Sequence, residues 1–144
     1  MENVAAIAGF GAAAVALDAH TLEAESQVAR GQTERILDAA LAVDDVVAYG
    51  DTRERLPHLV CVGVEGVEAE AVLLGLDQAG VAAHSGSACS SESLEPSPVL
   101  AAMGVDAERS LRISVGWSTA DADVDRFVEV FPGIVARLRG LRTP

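Results

Sequence analysis

The stretch SLRISVG, residues 110–116, sets Leu111, Ile113 and Val115 in alternation with Arg112 and Ser114. Side chains along a strand point to opposite faces in turn, so this pattern predicts a strand with one buried face and an arginine on the other. A lone strand cannot bury its apolar face, and the chain supplies partners for it. HLVCVGV, residues 58–64, is a continuous apolar run of strand length. Val46–Tyr49 is a shorter candidate ended by Gly50 and Asp51, and Val81–Ala83 is another. Cys61 lies inside the 58–64 run and reads as a small buried core residue, the alternative being a second reactive thiol.

Helical periodicity fills the intervals. From Glu2 to Leu17 apolar residues recur with a helical period, and Gly9 and Gly11 suggest close packing against another element. Thr21 can cap a helix over Glu23–Ala42, with Val28, Ile36, Leu37 and Leu41 on its inward face. Val67–Ala79 is amphipathic, with Ala71, Val72 and Leu74 inward and Gly80 placed for a left-handed end. Pro96 or Pro98 can open a brief helix through Met103, closed by Gly104. Thr119 or Asp121 can cap Ala122–Arg139, whose stripe of Val124, Phe127, Val128, Phe131, Val135 and Leu138 is interrupted by Pro132. With no internal repeat and no dividing linker, the expectation is one α+β domain over residues 1–144, a short, mostly antiparallel sheet packed against helices.

Composition narrows the partners. Half of the 144 residues are hydrophobic and only 3% are aromatic, so the core is built from small aliphatic side chains. The formal net charge is -12 and every cation is an arginine. Such a surface repels phosphate backbones and anionic lipids, which sets nucleic acid and membranes aside as partners. No apolar run approaches the length of a membrane span, and MENVAAIAGFGAAAVALDA, residues 1–19, lacks the basic start of a signal peptide. A cytosolic setting is expected. Two cysteines do not make a disulfide framework, and reducing conditions keep a thiol free.

The thiol of interest is Cys89. It lies in Ser85–Ser97, a loop without periodicity and crowded with serine, glycine and proline. A cysteine becomes a nucleophile when exposure combines with nearby positive charge or a base. His84, five residues earlier, is a candidate proton acceptor for it, the alternative being a surface histidine at a strand end.

SGSACSS (85–91), LEPSPVLAAMG (94–104) and SLRISVGWSTADADVDRF (110–127) together resemble the C-terminal part of cysteine desulfurases, pyridoxal-phosphate enzymes of the class V aminotransferase fold. The resemblance extends upstream through LPHLVCVGVEGVEAEAVLLGLDQAGVAAHSGSAC (56–89) to ENVAAIAGFGAA (2–13). It implies the small C-terminal domain of that fold. It also implies that Cys89 matches the cysteine that takes sulfur from L-cysteine as a persulfide, with release of alanine, and that a mobile loop presents this sulfur to an acceptor protein. Arg112 matches the arginine that clamps the substrate carboxylate, for which a planar guanidinium fork is well suited. Iron–sulfur cluster assembly and tRNA thiolation are the implied destinations of the sulfur, and the implied complete enzyme is a homodimer.

The sequence departs from that pattern in two ways. Met1 stands in place of the threonine of the family's GTEN segment, so the large domain that binds pyridoxal phosphate is expected to be missing or separate. The chain also contains no lysine, so it cannot hold pyridoxal phosphate covalently, and no residue here is assigned to cofactor or metal binding. Alone, the chain is expected not to desulfurate cysteine. It reads as a fragment of a full enzyme or as the small half of a split one. The alternatives are a stand-alone persulfide carrier without cofactor, or an inactive remnant with an exposed apolar surface.

Overall fold

The computed structural model describes residues 2–85 and 97–141. In chain order these form α1 (Val4–Ala16), α2 (Ala19–Leu41), β1 (Val46–Ala48), β2 (Leu59–Val64), α3 (Ala69–Gln78), β3 (His84–Ser85), α4 (Pro98–Ala102), β4 (Ser110–Ser114) and α5 (Asp121–Gly140). The strands make one antiparallel sheet in the order β1-β2-β4-β3. β4 forms as its alternation predicts: Leu111 and Ile113 are buried beside Val60, Val62 and Val64 of β2. Register places Val62 opposite Leu111 and Val60 opposite Ile113, so the two strands share one apolar face.

Helices α2, α3 and α5 pack on that face. Ile36, Leu37 and Ala40 of α2, Val72 and Leu76 of α3, and Val124, Phe127, Phe131, Ile134 and Val135 of α5 join the strand residues in one core. The rings of Phe127 and Phe131 stack with centroids 5.0 Å apart. A Cβ added at Gly75 would sit 2.7 Å from Ile134 Cγ2, so the missing side chain sets how closely α3 approaches α5. Arg139 closes the C-terminal end of α5: its guanidinium donates to the carbonyls of Asp44, Asp45 and Glu65, tying the helix to the turns beside β1 and β2. Asp45 has φ +55° there, held in the left-handed region by this packing.

Several local expectations are corrected. Asp18, not Thr21, caps α2, its carboxylate accepting from the Thr21 amide at 2.7 Å. Val28 and Leu41 of α2 and Leu74 of α3 are exposed, while Gln32 and Thr33 are buried in their place. These two polar side chains tolerate burial because they are bonded: Gln32 donates to the carbonyl of Thr119, and Thr33 donates to that of Pro57. The third strand to be met along the chain falls at His84–Ser85 instead of Val81–Ala83, because pairing with Arg112 and Leu111 of β4 decides its place. As expected, Gly80 and Gly104 end their helices with φ +81° and +70°, and Pro98 occupies the first turn of α4. Ala120, not Thr119 or Asp121, caps α5, and its amide donates to the Asp123 carboxylate. The helix continues through Pro132.

α1 follows its apolar period, capped by Asn3, but buries none of its residues, and a Cβ at Gly9 or Gly11 would meet nothing within 4 Å. The close packing expected of it does not occur among the described residues. No single described helix is long and apolar enough to cross a membrane; α1 and α2 reach that length and composition only together, across a 70° bend.

Candidate functional site

The second face of the sheet holds the candidate site. Antiparallel partners point to the same side, and Arg112 of β4 is paired with Cys61 of β2 on one flank and His84 of β3 on the other. Three side chains from three strands, Cys61, Arg112 and His84, therefore form a row on the face away from α2, α3 and α5. Directly opposed residues of such a sheet have Cβ atoms about 5 Å apart. The row is a place where groups of one small ligand can be met together.

Cys61 is a correction to the sequence reading. It is half-buried and lies outside the core cluster, because alternation along β2 gives Val60, Val62 and Val64 the inner face. Burial pushes its thiol above the ordinary range, and the positive charge of Arg112 opposes that only in part. At neutral pH Cys61 is a protonated thiol, a poor nucleophile.

Next to it, Tyr49 lies over Gly63, so that a Cβ at this glycine would collide with the phenol. The Tyr49 hydroxyl donates to the carbonyl of Asp106 at 3.3 Å. Burial, and after it the negative charges of Asp106 and Glu65, hold the phenol above its usual range. Tyr49 thus closes one end of the row as a neutral wall. Sequence reasoning passed over it, although a glycine inside an apolar strand signals a close neighbour.

Arg112 is half-buried, and among the described residues its guanidinium has neither a carboxylate nor a hydrogen-bond partner. The contrast with other arginines is informative. Arg35 pairs with Asp121 and Asp125, Arg109 with Glu65 and Asp106, and Arg126 with Glu129. Arg55 donates to Thr33 and to the carbonyls of Leu56 and Leu59. In a chain of net charge -12, a strand arginine without a carboxylate among the described residues is a distinctive feature of this face.

His84 is exposed, and its Nδ1 lies 2.5 Å from the carbonyl oxygen of Ser85. Cys89, the sequence's principal site residue, lies outside the described residues, in the segment that begins immediately after β3. The described strand therefore starts that segment beside Arg112. Another concavity, of about 580 Å³, lies between the first half of α2, Pro57–His58 and residues 115–119. Leu22, Val28, Val115 and the exposed Trp117 make it largely apolar, and it does not include the row.

The family model for aminotransferase class-V matches residues 1–127. A protein named cysteine desulfurase IscS 1 from Archaeoglobus fulgidus is 41% identical over 97% of this chain, and one named cysteine desulfurase from Gluconacetobacter diazotrophicus is 44% identical over 96%. Those alignments cover 37% and 35% of the relatives, so the chain spans little more than a third of their length. The crystal structure of a NifS-like protein from Rickettsia africae superposes with a TM-score of 0.76 at 29% identity, over 94% of this chain and 36% of that one.

Proposed function

The chain belongs to the aminotransferase class V family, and on that premise we propose that it is the carboxylate-holding and sulfur-accepting part of a cysteine desulfurase. The observation that carries this reading is the Arg112 guanidinium on the sheet face away from α2, α3 and α5, without a carboxylate among the described residues and one strand away from the start of the Cys89 segment. Arg112 holds the carboxylate of L-cysteine through two parallel N–H donors, which fixes the amino acid in one orientation. Cys89 then accepts its sulfur. The C–S bond of the substrate breaks and an S–S bond forms, so that L-cysteine and the Cys89 thiol become alanine and the Cys89 persulfide.

Pyridoxal phosphate is the cofactor of this family, but the residues of this chain do not fit it as a covalently held group, because none of them is a lysine. The cofactor belongs with the part of the relatives' length that this chain does not span, whether joined to it or on a separate polypeptide, and in the complete enzyme with a second copy. The persulfide passes onward to an acceptor protein for iron–sulfur assembly or tRNA thiolation. The absence of lysine also favours a second reading, a persulfide carrier loaded by another donor.

The test is intact-mass and peptide analysis of the chain after incubation with L-cysteine and an intact cysteine desulfurase. Cys89 is expected to gain one sulfur atom and Cys61 none, and Cys89→Ser to gain none. Sulfur on Cys61 in place of Cys89 would overturn the assignment. Alanine release from L-cysteine by the chain alone separates the readings: none is expected, and release without any added protein would contradict the placement of the cofactor elsewhere.

A further inference from the structure

The two flanks of Arg112 are chemically unequal, and the difference bears on which amino acid the row selects. A carbonyl oxygen only accepts, so the contact between His84 Nδ1 and the Ser85 carbonyl requires a proton on Nδ1. In the neutral ring Nε2 is then the unprotonated nitrogen, an acceptor without a hydrogen-bond partner among the described residues. On the other flank Cys61 carries a protonated thiol, at most a weak donor. The row thus offers a guanidinium for an anion and, one cross-strand step away, one good acceptor for a donor.

We infer that His84 is a specificity-determining residue of the Arg112 site, its Nε2 accepting the thiol proton of an amino acid whose carboxylate Arg112 holds. The inference rests on the Arg112 reading above and adds the recognition of the thiol. Two carbons separate the carboxylate of L-cysteine from its sulfur, a span that suits neighbours whose Cβ atoms are about 5 Å apart. Glutamine at position 84 would retain an acceptor, whereas phenylalanine would keep the bulk and lose it. Aspartate or glutamate there would instead pair with Arg112 and compete with the ligand.

The experiment is an NMR titration of the whole chain, under reducing conditions, with L-cysteine and with L-2-aminobutyrate, in which a methyl group replaces the thiol. The wild-type chain is expected to bind L-cysteine about two- to tenfold more tightly, the range of one neutral hydrogen bond. His84→Phe should bring the ratio to one without loss of carboxylate binding, and His84→Gln should restore much of the preference. Ring ¹⁵N shifts of His84 should report the proton on Nδ1. Equal binding of both amino acids by the wild type, or a ratio unchanged in His84→Phe, would overturn the role of His84 and leave Arg112 standing. Failure of the wild type to bind either amino acid, or undiminished binding by Arg112→Ala, would remove the Arg112 reading and this one with it.

Discussion

Leu111 and Arg112 are consecutive residues of β4, yet they belong to two different environments. Leu111 is fully buried against β2 and the helices, where neighbouring groups are apolar and closely packed. Arg112 stands on the opposite face among a protonated thiol and an imidazole, without a carboxylate among the described residues. Stability is concentrated on the first face, which removes apolar area from water. The second face keeps a charged group half-covered and, among the described residues, unneutralised, an arrangement that stabilises the fold little. The sheet thereby separates the packed core from the proposed site by one residue of register.

The comparison is broken most directly at Leu111. Leu111→Ala is expected to cost about 3 kcal/mol in urea denaturation, because a packed core does not collapse fully around the cavity. Arg112→Ala should change stability by no more than about 0.5 kcal/mol while abolishing L-cysteine binding in the titration. A comparable loss of stability in both variants would show that Arg112 is a structural residue.

Smaller effects sharpen the picture of the helical side. Gly75→Ala forces a methyl group against Ile134 and should lower stability by about 1–3 kcal/mol, read from thermal unfolding. An unchanged midpoint would mean that α3 and α5 separate freely. Arg139→Ala removes donors to the carbonyls of Asp44, Asp45 and Glu65 and should cost about 1–2 kcal/mol in the same measurement. Its signature is faster amide exchange in the turns around Asp45 and Glu65, with the outer row unaffected.

The smallest expected effect lies at Cys61 and depends on pH. Its folded-state pKa is raised, so the stability that the neutral thiol contributes is fully present below the ordinary thiol range and is lost as pH rises through the raised value. Tyr49, also raised, adds a loss of the same sign at higher pH, so the difference between variants isolates the thiol. Stability should fall less steeply on alkaline titration in Cys61→Ser than in the wild type. Parallel curves would place Cys61 in water.

How much was legible in the sequence varied with the kind of signal. β4 and the face of Arg112 were legible because a polar residue at every second position marks a half-buried strand. Cys61 was misread because β2 is apolar on both faces: Leu59, Cys61 and Gly63 do not contrast with Val60, Val62 and Val64, and only pairing with Arg112 reveals which set faces outward. Gln32 and Thr33 were missed as inward residues because hydropathy does not register that the carbonyls of Thr119 and Pro57 wait for them. The same holds for β3, whose position is set by the edge of β4 and not by its own composition. Of the site, Arg112 was singled out and His84 was weighed as a helper of Cys89. The cross-strand relation of His84 to Arg112 was not foreseen.

By itself, the sequence determined the α+β class, the alternation that turns Arg112 away from the core, and the absence of any lysine to anchor a cofactor. These are local or compositional properties, set by which residues stand side by side in the chain or are missing from it. Only the tertiary structure decided that Cys61, Arg112 and His84 share one row and that the Arg112 guanidinium is left without a carboxylate among the described residues. Those residues are far apart in sequence, and they meet because antiparallel hydrogen bonding fixes register between strands, which no periodicity within a single strand can specify.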